Sequence, residues 1–204
     1  MLFDDSYLTI EASAAGEFND RGSKFLSYAF PITSHTEVKE ILSRLKGEHP
    51  KAVHHCWALR LSTDRSVFKL NDDGEPSGTA GRPILNVLLS RDVTNILVVV
   101  VRYFGGTLLG VPGLINAYKQ ATTAALGNAR IIEQTLQDIY TVSFRYEQMN
   151  DIMRLVKEHH LTILQQEVDA ICSLQISIRQ TQVNQLLSRI EKLNGFKATY
   201  DRTV

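Results

Sequence analysis

The final third of this chain leaves few folds open. Tyr140, Val142, Phe144 and Tyr146 take every second position, the period of a half-buried strand, and Met149, Ile152, Met153 and Val156 then follow helical spacing. Leu161–Asp169 reads as a second strand. Cys172, Leu174, Ile176 and Ile178 alternate with Ser173, Gln175, Ser177 and Arg179 as a third. Val183, Leu186, Leu187, Ile190 and Leu193 make another helical stripe, with Asn194-Gly195 as its stop, and Phe196, Ala198 and Tyr200 supply a last strand. The order β-α-β-β-α-β is the split βαβ, or ferredoxin-like, plan. A boundary is expected near residues 133–137, dividing the chain into domains 1–134 and 135–204.

The first part is also α+β. Ser34 and Glu37 form a capping box before Val38, Ile41, Leu42 and Leu45, a helix ending near Gly47 and Pro50. Val53–Leu61 reads as a strand, and Asn95–Phe104, NILVVVVRYF, as one buried on both faces. Val111–Ile132 reads as a long helix with Pro112 in its first turn, where the missing donor costs nothing. Its alanines, Ala117, Ala121, Ala124 and Ala125, predict close packing on the sheet.

Charge narrows the partners. Lys and Arg number 14 against 14 Asp and Glu in residues 1–134, and 8 against 8 in residues 135–204. A protein that coats phosphates carries a basic excess, so any nucleic-acid contact here must be local. Met1–Ile10 holds two aspartates and no cationic segment leading into an apolar run, and the apolar run Ile96–Val101 is too short to span a bilayer. With only Cys56 and Cys172, the expectation is a cytoplasmic protein with reduced thiols and no membrane partner.

Seven of the 12 glycines and three of the five prolines fall between Asn71 and Gly113. They make two loops, NDDGEPSGTAGRP at 71–83 and GGTLLGVPG at 105–113. Glycine lets backbone amides turn outward, and a strand–glycine loop–helix arrangement suits an anion or a backbone contact. Gly105 and Gly110 satisfy half of a phosphate-binding loop, but Val111-Pro112 stands where Lys and Ser or Thr are required, so no nucleotide cofactor is expected. Asp72, Asp73 and Glu75 offer hard oxygen ligands at no EF-hand spacing, and Asp-Gly and Glu-Pro are ordinary turn pairs. On a strand, His54 and Cys56 face one side and His55 and Trp57 the other, without the further ligands a zinc site needs. Ser77 sits in no nucleophile elbow. Arg102 interrupts an apolar strand, which calls either for an ion pair with the acidic loop or for an acidic partner.

HHCW at 54–57, the loop at 71–83, VVVRYFGGTLLG at 99–110 and GLxxAY at 113–118 together resemble the signature of the IMPACT family, bacterial YigZ branch, and Ser23-Lys24-Phe25 is similar to its opening strand. The resemblance implies a first domain with a ribosomal-protein-like α/β sandwich, as in elongation factor G domain IV, and a second resembling that factor's domain V. It implies regulation of translation, through RNA, the ribosome or a translation-associated protein. The chain departs from the family pattern at Val111-Pro112 and Asn116, losing a glycine and a positive charge. The contact surface so expected comprises Asp72, Asp73, Gly74, Glu75, Gly78, Thr79, Gly81 and Arg82 in the first loop. Gly105, Gly106, Gly110 and Gly113 complete it in the second, with His54, His55, Arg102, Tyr103 and Tyr118 beside them. Two alternatives stand next to it: a metal-assisted hydrolase built on Asp72, Asp73, Glu75 and His54, and a protein–protein adaptor with an apolar patch around Tyr140 and Tyr200.

Overall fold

A computed structural model describes residues 5–62, 66–193 and 195–204. The chain forms two units, one of Tyr7–Gln134 and one of Thr135–Val204 with Asp5 and Ser6. The first contains β1 (Ser6–Ile10), β2 (Ala14–Asp20), β3 (Ser23–Pro31), α1 (Glu37–Glu48), β4 (His54–Leu61), β5 (Val67–Asn71), α2 (Gly81–Ser90), β6 (Ile96–Tyr103), α3 (Gly110–Asn128) and β7 (Ile131–Thr135). The second contains β8 (Gln137–Arg145), α4 (Met149–Glu158), β9 (Thr162–Glu167), β10 (Ile171–Arg179), α5 (Val183–Glu191) and β11 (Lys197–Thr203).

In the first unit an antiparallel sheet of order β2-β3-β6-β4-β5 is covered on both faces. Val98 and Val100 of β6 pack with Phe25, Cys56, α2 and α3, while Leu97, Val99 and Val101 pack on the other face with Val38 and Leu45 of α1. Double coverage explains why β6 is apolar at every position from Ile96 to Val101 rather than at alternate ones. Glu37 reaches back to the amides of Thr33 and Ser34 at 2.8 Å each, the half of the capping box that anchors the start of α1. Alanines bring α3 close to the sheet: a Cβ at Gly16 of β2 would stand 2.4 Å from the Ala125 nitrogen.

Two expectations need correction here. The long helix stops at Asn128, not Ile132: Ala129 is extended, and the β-branched pair Ile131-Ile132 opens β7, which pairs with β1. Helix α2 was passed over because Gly81 and Pro83 read as loop punctuation, although Arg82, Asn86 and Ser90 form an exposed stripe opposite the buried Gly81, Pro83, Ile84, Leu85, Val87 and Leu88.

The second unit is an antiparallel sheet of order β11-β8-β10-β9 with α4 and α5 packed on one face, the ferredoxin-like arrangement. Asp5 belongs to it because its buried carboxylate accepts hydrogen bonds from Arg179 (2.7 Å from Nη2) and from the Thr181 hydroxyl (2.7 Å). The Arg179 guanidinium holds that carboxyl well below the usual range. Asn194 lies outside the described residues; its neighbour Gly195 takes φ +92. The apolar patch expected of an adaptor is not on the uncovered face. Tyr140 packs on the helix side against Val142 and meets Tyr200 edge-on at 5.6 Å, while the opposite face carries the polar chain Thr141–Asp201–Gln175.

Candidate functional site

Strand register places three side chains in one row. Phe25 of β3 stands opposite Arg102 of β6, which stands opposite His54 of β4. Phe25 packs on the side of α2 and α3, and alternation puts Arg102 and His54 there too. The Arg102 guanidinium, 6% exposed as a residue, lies 5.4 Å from the Phe25 ring centre and 5.6 Å from that of Phe104. A charge so buried needs a partner. Glu75, itself buried, provides it: Arg102 Nη1 donates to Glu75 Oε1 at 2.6 Å, and the Tyr118 hydroxyl donates to the same oxygen at 2.7 Å. The ion pair foreseen for Arg102 is therefore made within the protein. Behind it the Cys56 thiol lies 3.0 Å from the Asp72 carbonyl and 3.2 Å from the Tyr118 hydroxyl. Burial pushes both the Cys56 thiol and the Tyr118 hydroxyl up, the opposite of the lowered pKa that a nucleophilic thiol needs.

The 71–83 loop is not the open docking face expected from its sequence. Asp72 draws the loop onto itself: Oδ1 accepts the amides of Ala80 (3.1 Å) and Gly81 (2.7 Å), and Oδ2 accepts that of Gly78 (2.9 Å). Those amides open α2, so Asp72 caps the helix from far upstream. Asp73 Oδ2 accepts the His55 amide at 2.7 Å, and the Asp73 carbonyl meets His54 Nδ1 at 2.7 Å. Thr79 is buried and donates its hydroxyl to the Pro76 carbonyl at 2.6 Å. Gly74 and Gly78 take φ +88 and +77, as the turn demands, Gly81 is buried against Leu70, and Arg82 is exposed. Replacing Asp72 by alanine is expected to lower the stability of the first unit by about 1–2 kcal/mol, the usual cost of a lost cap. Urea unfolding followed by fluorescence of Trp57, the one tryptophan, checks it.

His55 and Tyr103 lie on the other face of the sheet and leave the site. The Tyr103 hydroxyl meets His49 Nδ1 at 2.9 Å, and His55 is buried, which lowers its pKa. Nor do the three carboxylates converge as the hydrolase alternative requires: Asp72 holds the α2 amides, Asp73 the His55 amide and Glu75 the Arg102 guanidinium, and only Glu75 lies near His54 Nε2, at 4.0 Å. Among the described residues no group of three or more His, Cys, Asp or Glu side chains is placed to share a metal ion.

The second loop divides in two. Gly105 is a packing residue, its amide donating to Ser23 Oγ at 3.2 Å, and a Cβ there would stand 1.9 Å from the Gly22 carbonyl carbon. At Gly113 a Cβ would stand 3.0 Å from that of Leu109. Gly106 and Gly110, at φ +85 and +70, turn the chain into α3, whose N-terminus has no side-chain cap. In front opens a cavity of about 390 Å³, lined by His54, Glu75, Pro76, Arg102, Phe104, Leu108, Leu109, Gly110, Val111 and Leu114. Its rim is apolar and exposed: Phe104 by 48%, Leu108 by 83% and Val111 by 51%. Sequence reasoning passed over Pro76, Phe104, Leu108, Leu109, Val111 and Leu114. Their signal is an apolar run inside a glycine loop, where turns ordinarily carry polar residues.

The family model of the Impact N-terminal domain matches residues 21–126, which include every residue of this cavity. An IMPACT family member of Haemophilus influenzae is 32% identical over 93% of this chain and 93% of its own. The Escherichia coli member YigZ is 31% identical over 82% of this chain and 83% of its own. A crystal structure of a hypothetical protein matches the whole fold with a TM-score of 0.74 at 27% identity, covering 98% of this chain and 99% of its own.

Proposed function

The chain belongs to the IMPACT family, and from that premise we propose that it is a regulatory binding protein of the translation apparatus, acting in the cytoplasm. It meets a translation-associated protein through the rim formed by Phe104, Leu108 and Val111. The regulatory role is the one implied by the resemblance to IMPACT proteins. The observation that carries the contact face is the exposure of three large apolar side chains around a cavity with an ion pair at its floor. A contiguous exposed apolar surface of this kind marks an interaction site. RNA is less well served there, because Arg102 is the only Lys or Arg lining the cavity and Glu75 already neutralises it.

Co-sedimentation with ribosomes tests the reading. The wild-type chain should sediment at about 50 mM salt and keep most of its association at about 0.5 M, because apolar contacts are not screened. Leu108→Glu, a change at an exposed position, should weaken it at least tenfold. Association that vanishes with salt yet ignores Leu108→Glu would move the contact to phosphates elsewhere on the chain. No association at low salt would remove the translation role.

A further inference from the structure

We propose that the cavity beside Glu75 and Arg102 is a binding site for a neutral carboxamide, presented by a glutamine or asparagine side chain of a protein partner. The inference rests on reading the 104–111 rim as the contact face, and it assigns the chemistry that the face recognises.

Glu75 Oε1 is occupied by Arg102 and Tyr118, but among the described residues no donor reaches the second oxygen, Oε2. Arg102 Nη2 likewise finds no acceptor there, and Arg102 Nε is fully buried without one. Nε is out of reach of a ligand, so the guanidinium can meet one only through its terminal nitrogens, where the residue lines the cavity. The floor thus presents a charged acceptor next to charged donors, in an ion pair whose own net charge is zero, with His54 Nε2 4.0 Å from Glu75 Oε1 beside it.

That combination selects against ions. An anion drawn to Arg102 and to the N-terminus of the 19-residue α3 would lie against Glu75 Oε2, and a cation drawn to Glu75 would lie against Arg102. A carboxamide suffers neither contact: its N–H donates to the carboxylate, and its carbonyl accepts from the guanidinium or from the amides that open α3. Pairing both groups is also what a buried polar site requires. Phe104, Leu109, Val111 and Leu114 supply apolar walls for the methylene stem.

The partner is a protein because the rim extends beyond the cavity. Leu108, exposed by 83%, is covered only by something larger than a molecule filling about 390 Å³. A nucleobase edge also offers a donor and an acceptor, but its phosphates would find no Lys or Arg in the lining beyond the paired Arg102.

Titration of the ¹⁵N-labelled full chain decides it, read at the amide resonances of Gly106, Gly110 and Val111. Benzamide, benzoate and benzamidine share a ring and differ in the charge of the tip. Three leucine-flanked hexapeptides differ only in a central Gln, Glu or Lys, and hexauridylate is a final arm. Benzamide should bind at least tenfold tighter than the other two, and the Gln peptide at least tenfold tighter than its Glu and Lys counterparts and than benzamide. Val111→Trp, which fills the mouth from an exposed position, should abolish both while leaving a folded spectrum. Equal or tighter binding of benzoate or benzamidine overturns the carboxamide chemistry, as does binding that survives Val111→Trp. A Gln peptide no tighter than benzamide, or hexauridylate shifting the same resonances, overturns the protein partner. Ribosomes take no part, so failure here with sedimentation intact removes the ligand chemistry, and the reverse removes only the translation role.

Discussion

Glu75→Leu will destabilise the first unit by about 3–5 kcal/mol, because it leaves the Arg102 guanidinium buried with no counter-charge. The mutated carboxylate is also the acceptor for Tyr118, so a second buried donor loses its partner. Arg102→Met should cost a similar amount by stranding Glu75. Changing both together should cost far less than the sum, since the pair can be exchanged for apolar side chains of similar volume once neither charge remains. Trp57 sits in β4, on the α1 side of the same sheet, and is the chain's single tryptophan, so its fluorescence reports on this unit. A loss below about 1 kcal/mol for Glu75→Leu, no more than an ordinary exposed ion pair contributes, would contradict the ion pair's place in the core.

Gly105→Ala is the second large effect. The added Cβ would meet the Gly22 carbonyl carbon at 1.9 Å and the Gly22 oxygen and Ser23 nitrogen at 2.2 Å each. These are backbone atoms of the turn between β2 and β3, so no rotamer change relieves the overlap, and a loss of at least about 3 kcal/mol is expected. Gly106 is the control. Nothing lies within 4 Å of a Cβ there, but its φ of +85 strains any L side chain, at about 1–2 kcal/mol. If both variants lose the same amount in urea unfolding, the close approach of Gly105 to Gly22 does not explain the glycine. If Gly105→Ala loses more, half of the family-like GG pair is a packing requirement and not a recognition element.

That distinction shows where sequence reasoning reaches its limit. The period-2 and period-3.6 patterns of residues 135–204 led to the right elements and order, because each pattern is written within a single strand or helix. The same reasoning ran α3 on into β7, since Ile131 and Ile132 continue an apolar helical stripe as readily as they begin a strand, and only pairing with β1 separates the two. It overlooked α2, whose Gly81 and Pro83 read as the end of the glycine loop. Reading His54 and Cys56 against His55 and Trp57 as opposite faces held, as strand geometry alone dictates it.

In the loops the residues were legible and their roles were not. Asp72, Asp73 and Glu75 look alike in sequence, yet one caps α2, one binds the β4 backbone and one neutralises Arg102. By itself the sequence determined the α+β class, the ferredoxin-like order of the second unit, the family signature and the concentration of glycine around one strand end. Tertiary structure alone decided which carboxylates were already satisfied and which apolar side chains remained in solvent. The reason is physical: periodicity is a property of neighbouring residues, whereas a hydrogen-bond partner is set by strand register and helix packing that join Glu75 to Arg102 and Tyr118 across the fold.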